Sequence, residues 1–514
     1  MKIKALLFVL LCVTAQAPLA SASAPQSHAK AGNITAKDLL IEAEALSRPL
    51  PLEERADALL DLAQASATVD PNRAMAWSDE IWRIAQAQLP AGPYRAAMQK
   101  NALTTIATLN PDRALALWRL QDPPEAWTKG KIVGEDIRAD GTRVLFPSLW
   151  RRHGPAAYHS IVSLSRWLGE TGQYPYQSME WVLEQSSADT THVQEIFSDA
   201  TRYLPTSQKF ASTNHLFVDF ILSSEKSVPQ ELLRQAIEAE IHELNGPTSA
   251  NSAPRYISDV STPKGEVAFN SQTETLIYRL LPSIRRIDPN WARQLVEKHP
   301  SLKNAPDLNS SRGVRAGGVV VYGDEPPSQD AIDEAMDASH LYRAQQLAAQ
   351  NPEEAARLVL AIKNPQLQTL GLANIAPAYR RVSPSESDSW LTGAAKRFGS
   401  MPDDADKLRL SVALCDSYLA EKRFSDASDV AEQAFDLGEQ LFDAFIHDNP
   451  ASMAYTADSF QPLTDLVTAT VRELPDPTAS VTRVRKIRSQ LLRTRMLTTA
   501  AKALSMRKHG SAHD

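Results

Sequence analysis

Apolar residues recur at steps of three and four along most of this 514-residue chain, and runs of β-branched residues are rare. That spacing puts apolar side chains on one face of a helix, so it predicts amphipathic helices nearly throughout. The stretch 52–68 is one example, and Ala74, Trp77, Ile81 and Ala85 form the apolar face of the next. The pattern therefore predicts an all-α fold.

A short phrase marks the start of several of these helices: Asp or Asn, then Pro, two residues and Ala. It begins at Asp70, Asn110, Asp288 and Asn351. The first side chain can cap free N–H groups of the first turn, and proline fits there because its missing N–H needs no partner. An apolar helical stretch precedes each copy, so the repeated unit is a helix, a turn and a capped helix. The first two copies are 40 residues apart, the length of a solenoid repeat, but the later intervals of 178 and 63 residues keep no fixed period.

Residues 408–438 carry small and large apolar side chains at distinctive positions. Leu414, Cys415 and Tyr418 are followed by Ala427 and Ala434. These positions resemble the large, small and aromatic positions and the later alanines of a tetratricopeptide repeat. The resemblance implies an irregular helix-pair α-solenoid, a degenerate superhelix of tetratricopeptide or HEAT type, with a concave surface assembled from successive helices.

The ends of the chain and two polar stretches set its organisation. Lys2 and Lys4, an apolar run and the small residues 20–22 follow the order of a secretory signal peptide, so we expect an exported protein, periplasmic or extracellular. Two stretches rich in Gly, Pro, Ser and Asn indicate loops. The predicted order is a signal peptide (1–22), a disordered segment (23–34), an N-terminal helical repeat block (35–245), a polar loop (246–270), a helix pair (271–298), a Gly/Pro/Ser-rich loop (299–330), a C-terminal helical repeat block ending in a basic helix (331–506) and a tail (507–514).

Charge and cysteine content exclude some classes of protein. Without its signal peptide the chain has 52 basic and 61 acidic residues, a net charge of about −9, which disfavours nucleic-acid binding. No later stretch has the roughly 20 apolar residues of a transmembrane helix. Cys12 lies in the signal peptide and only Cys415 remains, so we expect stability from apolar burial and not from a disulfide.

Motifs for catalysis or metal binding are incomplete. No two histidines are spaced as a zinc-binding helix requires, and the Gly-rich stretch 312–318 lacks the ending of a phosphate-binding loop. Cys415 occupies a small-residue position, which favours a packed thiol over a nucleophile. We therefore expect no catalytic residue, metal site or cofactor, although a glycan-cleaving helical barrel could draw its acids from distant loops.

Two features are candidates for partner binding. Trp82 lies about 100° around its helix from Ile81, which could turn it outward, although large aromatics in such proteins more often fill gaps between helices. Residues 483–508 contain nine basic residues and no acid, with interleaved apolar residues that predict a basic amphipathic helix. Its candidate binding residues are Arg485, Lys486, Arg488, Arg493 and Arg495. The helix could attach the protein peripherally to an anionic envelope surface, or it could be a terminal cap whose charges face water or acidic helices.

The sequence thus favours an exported, non-enzymatic α-solenoid scaffold or adaptor that binds a peptide, protein or cell-envelope component. The alternative is a cell-envelope glycan hydrolase or lyase on a helical scaffold, and a third possibility is a structural spacer. A deep pocket with converging carboxylates would favour the enzyme, and a broad shallow groove would favour the binding protein.

Overall fold

The computed structural model of the protein describes residues 34–123, 136–207, 213–245, 256–262, 265–269, 271–306, 315–321, 329–448 and 456–507. These residues are helical almost throughout, which confirms the helical character predicted from the apolar spacing. The predicted signal peptide lies outside them. Before the first strand, the helices are α1 (Ala36–Ser47), α2 (Leu52–Ser66), α3 (Pro71–Ala87), α4 (Pro93–Leu109), α5 (Pro111–Trp118), α6 (Ile137–His153), α7 (Tyr158–Thr171), α8 (Tyr176–Gln185), α9 (Thr190–Arg202), α10 (Leu204–Ser207), α11 (Thr213–Ser224) and α12 (Gln230–Leu244).

The remaining elements begin with two strands, β1 (Tyr256–Thr262) and β2 (Gly265–Phe269). They are followed by α13 (Gln272–Ile287), α14 (Pro289–Lys298), α15 (Ser301–Asn304), β3 (Arg315–Val321), α16 (Gln329–Leu347), α17 (Pro352–Leu360), α18 (Pro365–Tyr379), α19 (Pro384–Ser400), α20 (Ala405–Ala420), α21 (Phe424–Asp448), α22 (Thr456–Glu473), α23 (Thr478–Arg485) and α24 (Gln490–Met506). None of the described helices is both long and apolar enough to cross a membrane.

The three strands form an antiparallel sheet in the order β2-β1-β3, with Val260 opposite both Val267 and Ala316. They lie within 246–270 and 299–330, where the sequence predicted loops, and for the strand residues the structure corrects that prediction. The physical reason is that β1 pairs with a strand more than fifty residues further along the chain. The pairing of β1 with β3 joins the two polar stretches, so it cannot be recognised from local spacing in either one.

The helices form two layers. In the first layer each helix packs against the next member of the same layer, except where the sheet separates α13 from α16. The members of this layer are α2, α4, α6, α8, α11, α13, α16, α18, α20, α22 and α24. The sheet stands between α13 and α16, because β1 packs against α13 and β3 against α16. The other long helices pack on this layer as a second layer, in which the main direct contact is between α9 and α12.

The succession of first-layer contacts returns to its start. Helix α24 packs against α2, so the last first-layer helix neighbours the first. Helix α1 packs extensively on α24. It thus occupies the position of the second-layer helix that would pack on α24. The first and last described helices therefore form one helix pair, although they lie at opposite ends of the chain.

The repeated phrase marks helix starts, as predicted. Asp70 and Asn110 each accept a hydrogen bond from the backbone N–H three residues further on, at 3.2 Å, and the other two copies cap in the same way. The helices that follow are α3, α5, α14 and α17, which all belong to the second layer. The alanine of each copy is buried. The phrase thus starts a second-layer helix and lets it approach the first layer closely.

Candidate functional site

The basic C-terminal segment meets acids from the N-terminal helices. Arg485 pairs with Glu42 of α1, with Nη2 2.8 Å from Oε2, and Arg495 pairs with Asp61 of α2, with Nε 2.8 Å from Oδ2. The side chain of Gln490 donates a hydrogen bond to a carbonyl oxygen of α1. We call these contacts the closure seam. They fit the interpretation in which the segment caps the array and its charges face acidic helices, while partner binding by Arg485 and Arg495 stays a prediction.

The other candidate binding residues lie in different places. The segment predicted as one basic helix is divided, because Ser489 caps a new helix start between α23 and α24. Lys486 and Arg488 are exposed and Arg493 is half-buried. The expectation that Trp82 faces outward is wrong, since its side chain is only 8 % exposed. Helix α3 packs against both α2 and α4, so more than one of its faces is covered.

A carboxyl group beside the closure seam is difficult to ionise. Burial raises the pKa of Asp57 in α2 from 3.8 to about 7; Arg495 opposes this rise, and the charges of Asp61 and Glu53 add to it. The hydroxyl of Tyr94 in α4, which donates a hydrogen bond to the carbonyl oxygen of Glu53 at 2.9 Å, lowers the pKa of Asp57. Burial and the Asp57 charge in turn raise the pKa of Tyr94. Asp57 therefore keeps its proton to a higher pH than a solvated aspartate does.

Asp57 should make the protein less stable as pH rises. A carboxyl group with a raised pKa in the fold stabilises the fold while protonated, and this contribution disappears between pH 3.8 and about 7. The full difference corresponds to about 4 kcal/mol, and we expect about 1–2 kcal/mol because solvent partly reaches Asp57. Urea unfolding at acidic and alkaline pH should thus show a smaller loss of stability for Asp57→Asn than for the wild type. Asp403→Asn, at an exposed surface pair with Lys407, is the control and should leave the loss unchanged.

Polar side chains bring neighbouring helices together on the solvent side of the first layer. Lys100 of α4 places its Nζ 2.8 Å from Asp140 Oδ2 of α6, and Asp219 of α11 pairs with Arg279 of α13. Similar meetings are those of Asp57 with Tyr94, Glu180 with Ser223, and Arg495 with Asp61. On the same side, the carboxyl groups of Asp416 and Asp465 lie close enough to repel each other when both are ionised. Since the buried sides of these helices face the second layer, we call this polar side the first-layer face.

Other carboxyl groups on the first-layer face also have raised pKa values. Burial raises the pKa of Glu180 in α8 and of Asp465 in α22. Burial, together with the Asp465 charge, raises the pKa of Asp416 in α20 to about 6, while Arg472 lowers it. Two carboxyl groups that share one field are a usual arrangement for acid–base chemistry. Asp416 thus keeps its proton to a higher pH than a solvated aspartate does.

A groove of about 520 Å³ lies between α21 and α23 in the second layer. Ala431, Phe435 and Leu474 give it an apolar lining. The remaining lining includes hydroxyl groups and charged side chains of both signs, namely Ser428, Glu432, Asp476, Thr478, Thr482, Arg483 and Lys486. This volume is within the usual range of small-ligand sites. Sequence reasoning missed the groove because its walls come from two helices that are separated by α22.

Cys415 is a packed thiol, as predicted. Cys415 is fully buried, its Sγ lies 3.7 Å from the carbonyl oxygen of Ala427, and burial raises its pKa to about 12. That contact joins α20 to α21, the helix pair at the tetratricopeptide-like segment. Within the described ranges, no group of three His, Cys, Asp or Glu side chains is placed to hold a metal ion.

Comparison of the chain with family models, curated proteins and solved structures finds no match. The tetratricopeptide or HEAT identity therefore stays a prediction, and the function has to be argued from the first-layer face, the closure seam and the groove.

Proposed function

We propose that this chain is an exported, non-enzymatic α-solenoid scaffold that binds a polypeptide partner on its first-layer face. First-layer helices pack directly against one another, whereas second-layer helices mostly do not. When two layers of helices close into a ring, the inner layer has the shorter circumference. The layer whose neighbouring helices contact one another therefore lies on the inside. The first-layer face then forms the inner surface, which is where solenoid proteins present extended binding sites.

The observation that carries the proposal is the spread of charge along this face. Residues of both signs occur from α2 to α24, and several remain partly exposed, such as Lys100, Asp140 and Asp219. An enzyme concentrates its catalytic groups in one cleft. A long surface with charges of both signs is instead complementary to a chain that carries many backbone dipoles and side chains of both charges. A polypeptide has that character.

Site-specific photo-crosslinking in the native envelope tests the proposal. Gln64 of α2 and Arg409 of α20 are exposed on the first-layer face, and Lys396 of α19 is an exposed second-layer control. We expect a photoreactive residue at Gln64 or Arg409 to yield adducts with the same protein partner. An excess of unlabelled protein should compete with both adducts, and the variant at position 396 should yield neither.

Equal adducts from all three positions would contradict the proposal, as would different partners from the two first-layer positions. Absence of any protein adduct would also contradict it, because half-exposed charges on a binding face lie within reach of a bound partner.

The rival function is an envelope glycan hydrolase or lyase, and the raised pKa values of Asp57 and Asp416 favour it. A general acid for glycan cleavage must hold a proton near neutral pH, which both residues do in part. Release of soluble glycan from purified cell wall by the wild type, and its loss in Asp57→Asn or Asp416→Asn, would support this function over the scaffold.

A further inference from the structure

The groove between α21 and α23 has two kinds of charged residue. Arg483 is held by Asp436 and by Glu439, and its guanidinium lies 5.9 Å from the ring centre of Phe435. Hydrogen bonds from the Thr478 hydroxyl and from the Thr478 backbone N–H, the latter at 2.8 Å, lower the pKa of Asp476. These two charges are therefore occupied within the protein.

Glu432 and Lys486 differ from that pair. Both are exposed, and neither forms an ion pair or side-chain hydrogen bond with another residue in the part of the chain that the structure describes. Glu432 belongs to α21 and Lys486 follows α23, so one negative and one positive group stand on opposite walls. They do not pair with each other, although both line the same groove.

We propose that this groove is a second binding site, separate from the first-layer face, for a short peptide with free termini. The peptide ammonium binds Glu432 and its carboxylate binds Lys486. An aliphatic side chain between the two rests on Phe435 and Leu474, which are buried side chains of the lining. Burial of that side chain supplies the apolar contribution and the two charges fix the orientation.

Other ligand classes fit the lining less well. A phosphorylated ligand would bring its negative charge against Glu432 and Asp476. A neutral sugar would leave both free charges unpaired. A lipid chain would meet hydroxyl groups at Ser428, Thr478 and Thr482 where it needs apolar contact. A zwitterionic peptide of a few residues matches the charges, the apolar floor and the volume of about 520 Å³.

Isothermal titration calorimetry with the full mature chain tests this site. The probes are alanyl-leucyl-alanine with free termini and the same tripeptide acetylated and amidated at its ends. We expect the free peptide to bind about 5- to 10-fold more tightly than the blocked one, as for the loss of charge-assisted contacts. Glu432→Gln and Lys486→Met should each weaken binding of the free peptide by a similar factor and leave the blocked peptide unaffected. Both residues are exposed, so these variants should fold.

Glu353→Gln, at another exposed second-layer carboxylate, is the matched control and should bind like the wild type. Equal affinity for the two peptides, unchanged binding in both groove variants, or no heat of binding at about 5 mM peptide would overturn the proposal. Crosslinking from Gln64 and Arg409 does not involve the groove. Failure of the groove site would therefore leave those adducts intact, and failure of the first-layer proposal would leave peptide binding intact.

Discussion

Replacement of Asp136 by alanine should lower the free energy of unfolding by about 3–5 kcal/mol, because it leaves a buried guanidinium without its partner. Asp136 is 0 % exposed and Arg138 is 2 % exposed. The Nη2 of Arg138 lies 2.9 Å from Asp136 Oδ2 and also donates a hydrogen bond to the carbonyl oxygen of Thr171 at 3.0 Å. The other carboxylate oxygen caps α6 by accepting the backbone N–H of Arg138.

This pair also joins α6 to the turn between α7 and α8. The Asp136 N–H donates a hydrogen bond to Gln173 Oε1 at 3.0 Å, and the guanidinium of Arg138 lies 5.1 Å from the ring centre of Trp167. A Cβ added at Gly172 would collide with the carboxylate of Asp136 and the guanidinium of Arg138. Gly172→Ala should therefore destabilise the same region, although it keeps both charges.

Hydrogen exchange and thermal unfolding of the variants measure the effect. Protection of amides in α6, α7 and the turn after α7 should fall in Asp136→Ala and in Gly172→Ala. Asp112→Ala is the control, because its pairs with Arg152 and His153 are half-exposed and contribute about 0–1 kcal/mol. A similar loss of stability in the control and in Asp136→Ala would mean that the buried pair has no special importance.

The sequence predicts features that depend on near neighbours. The caps at Asp70 and Asn110 involve backbone groups three residues away, and the Thr35–Asp38 capping box at α1 is equally local. Cys415 is also placed correctly, because it occupies the small-residue position of the tetratricopeptide-like segment, between two helices. Local spacing therefore predicts the helices, their starts and much of their packing.

Features that join distant parts of the chain could not be predicted. Arg485 and Glu42 are 443 residues apart, and many acids in the sequence could have been the partner of this arginine. Asp57 lies on the polar stripe of an amphipathic helix, where a carboxylate is normally solvated; its raised pKa arises only once α4 and α24 pack beside it. The prediction for Trp82 is wrong for the same reason. The amphipathic pattern predicts one buried face for α3, whereas α3 packs against both α2 and α4 and so buries more than one.

The closure of the array has the second large consequence that we predict. In an open solenoid the first and last helices each contact neighbours on one side only, so both ends fray independently. Here α1 packs on α24, and Leu39 in α1 is fully buried. We expect Leu39→Ala to cost about 2–5 kcal/mol, through lost burial and the cavity left behind.

The part of the chain that loses hydrogen-exchange protection distinguishes a closed array from an open one. Hydrogen exchange should show reduced protection in α24, more than 440 residues away in sequence, as well as in α1. Leu233→Ala removes a leucine that is only 2 % exposed from α12 and is the matched control, which should affect α9 and α11 to α13 and spare α24. If Leu39→Ala loosens α1 and α24 stays fully protected, the two ends are not coupled and the chain behaves as an open array. Loss of protection at both ends means that α1 and α24 stabilise each other, so that unfolding cannot begin independently at either end.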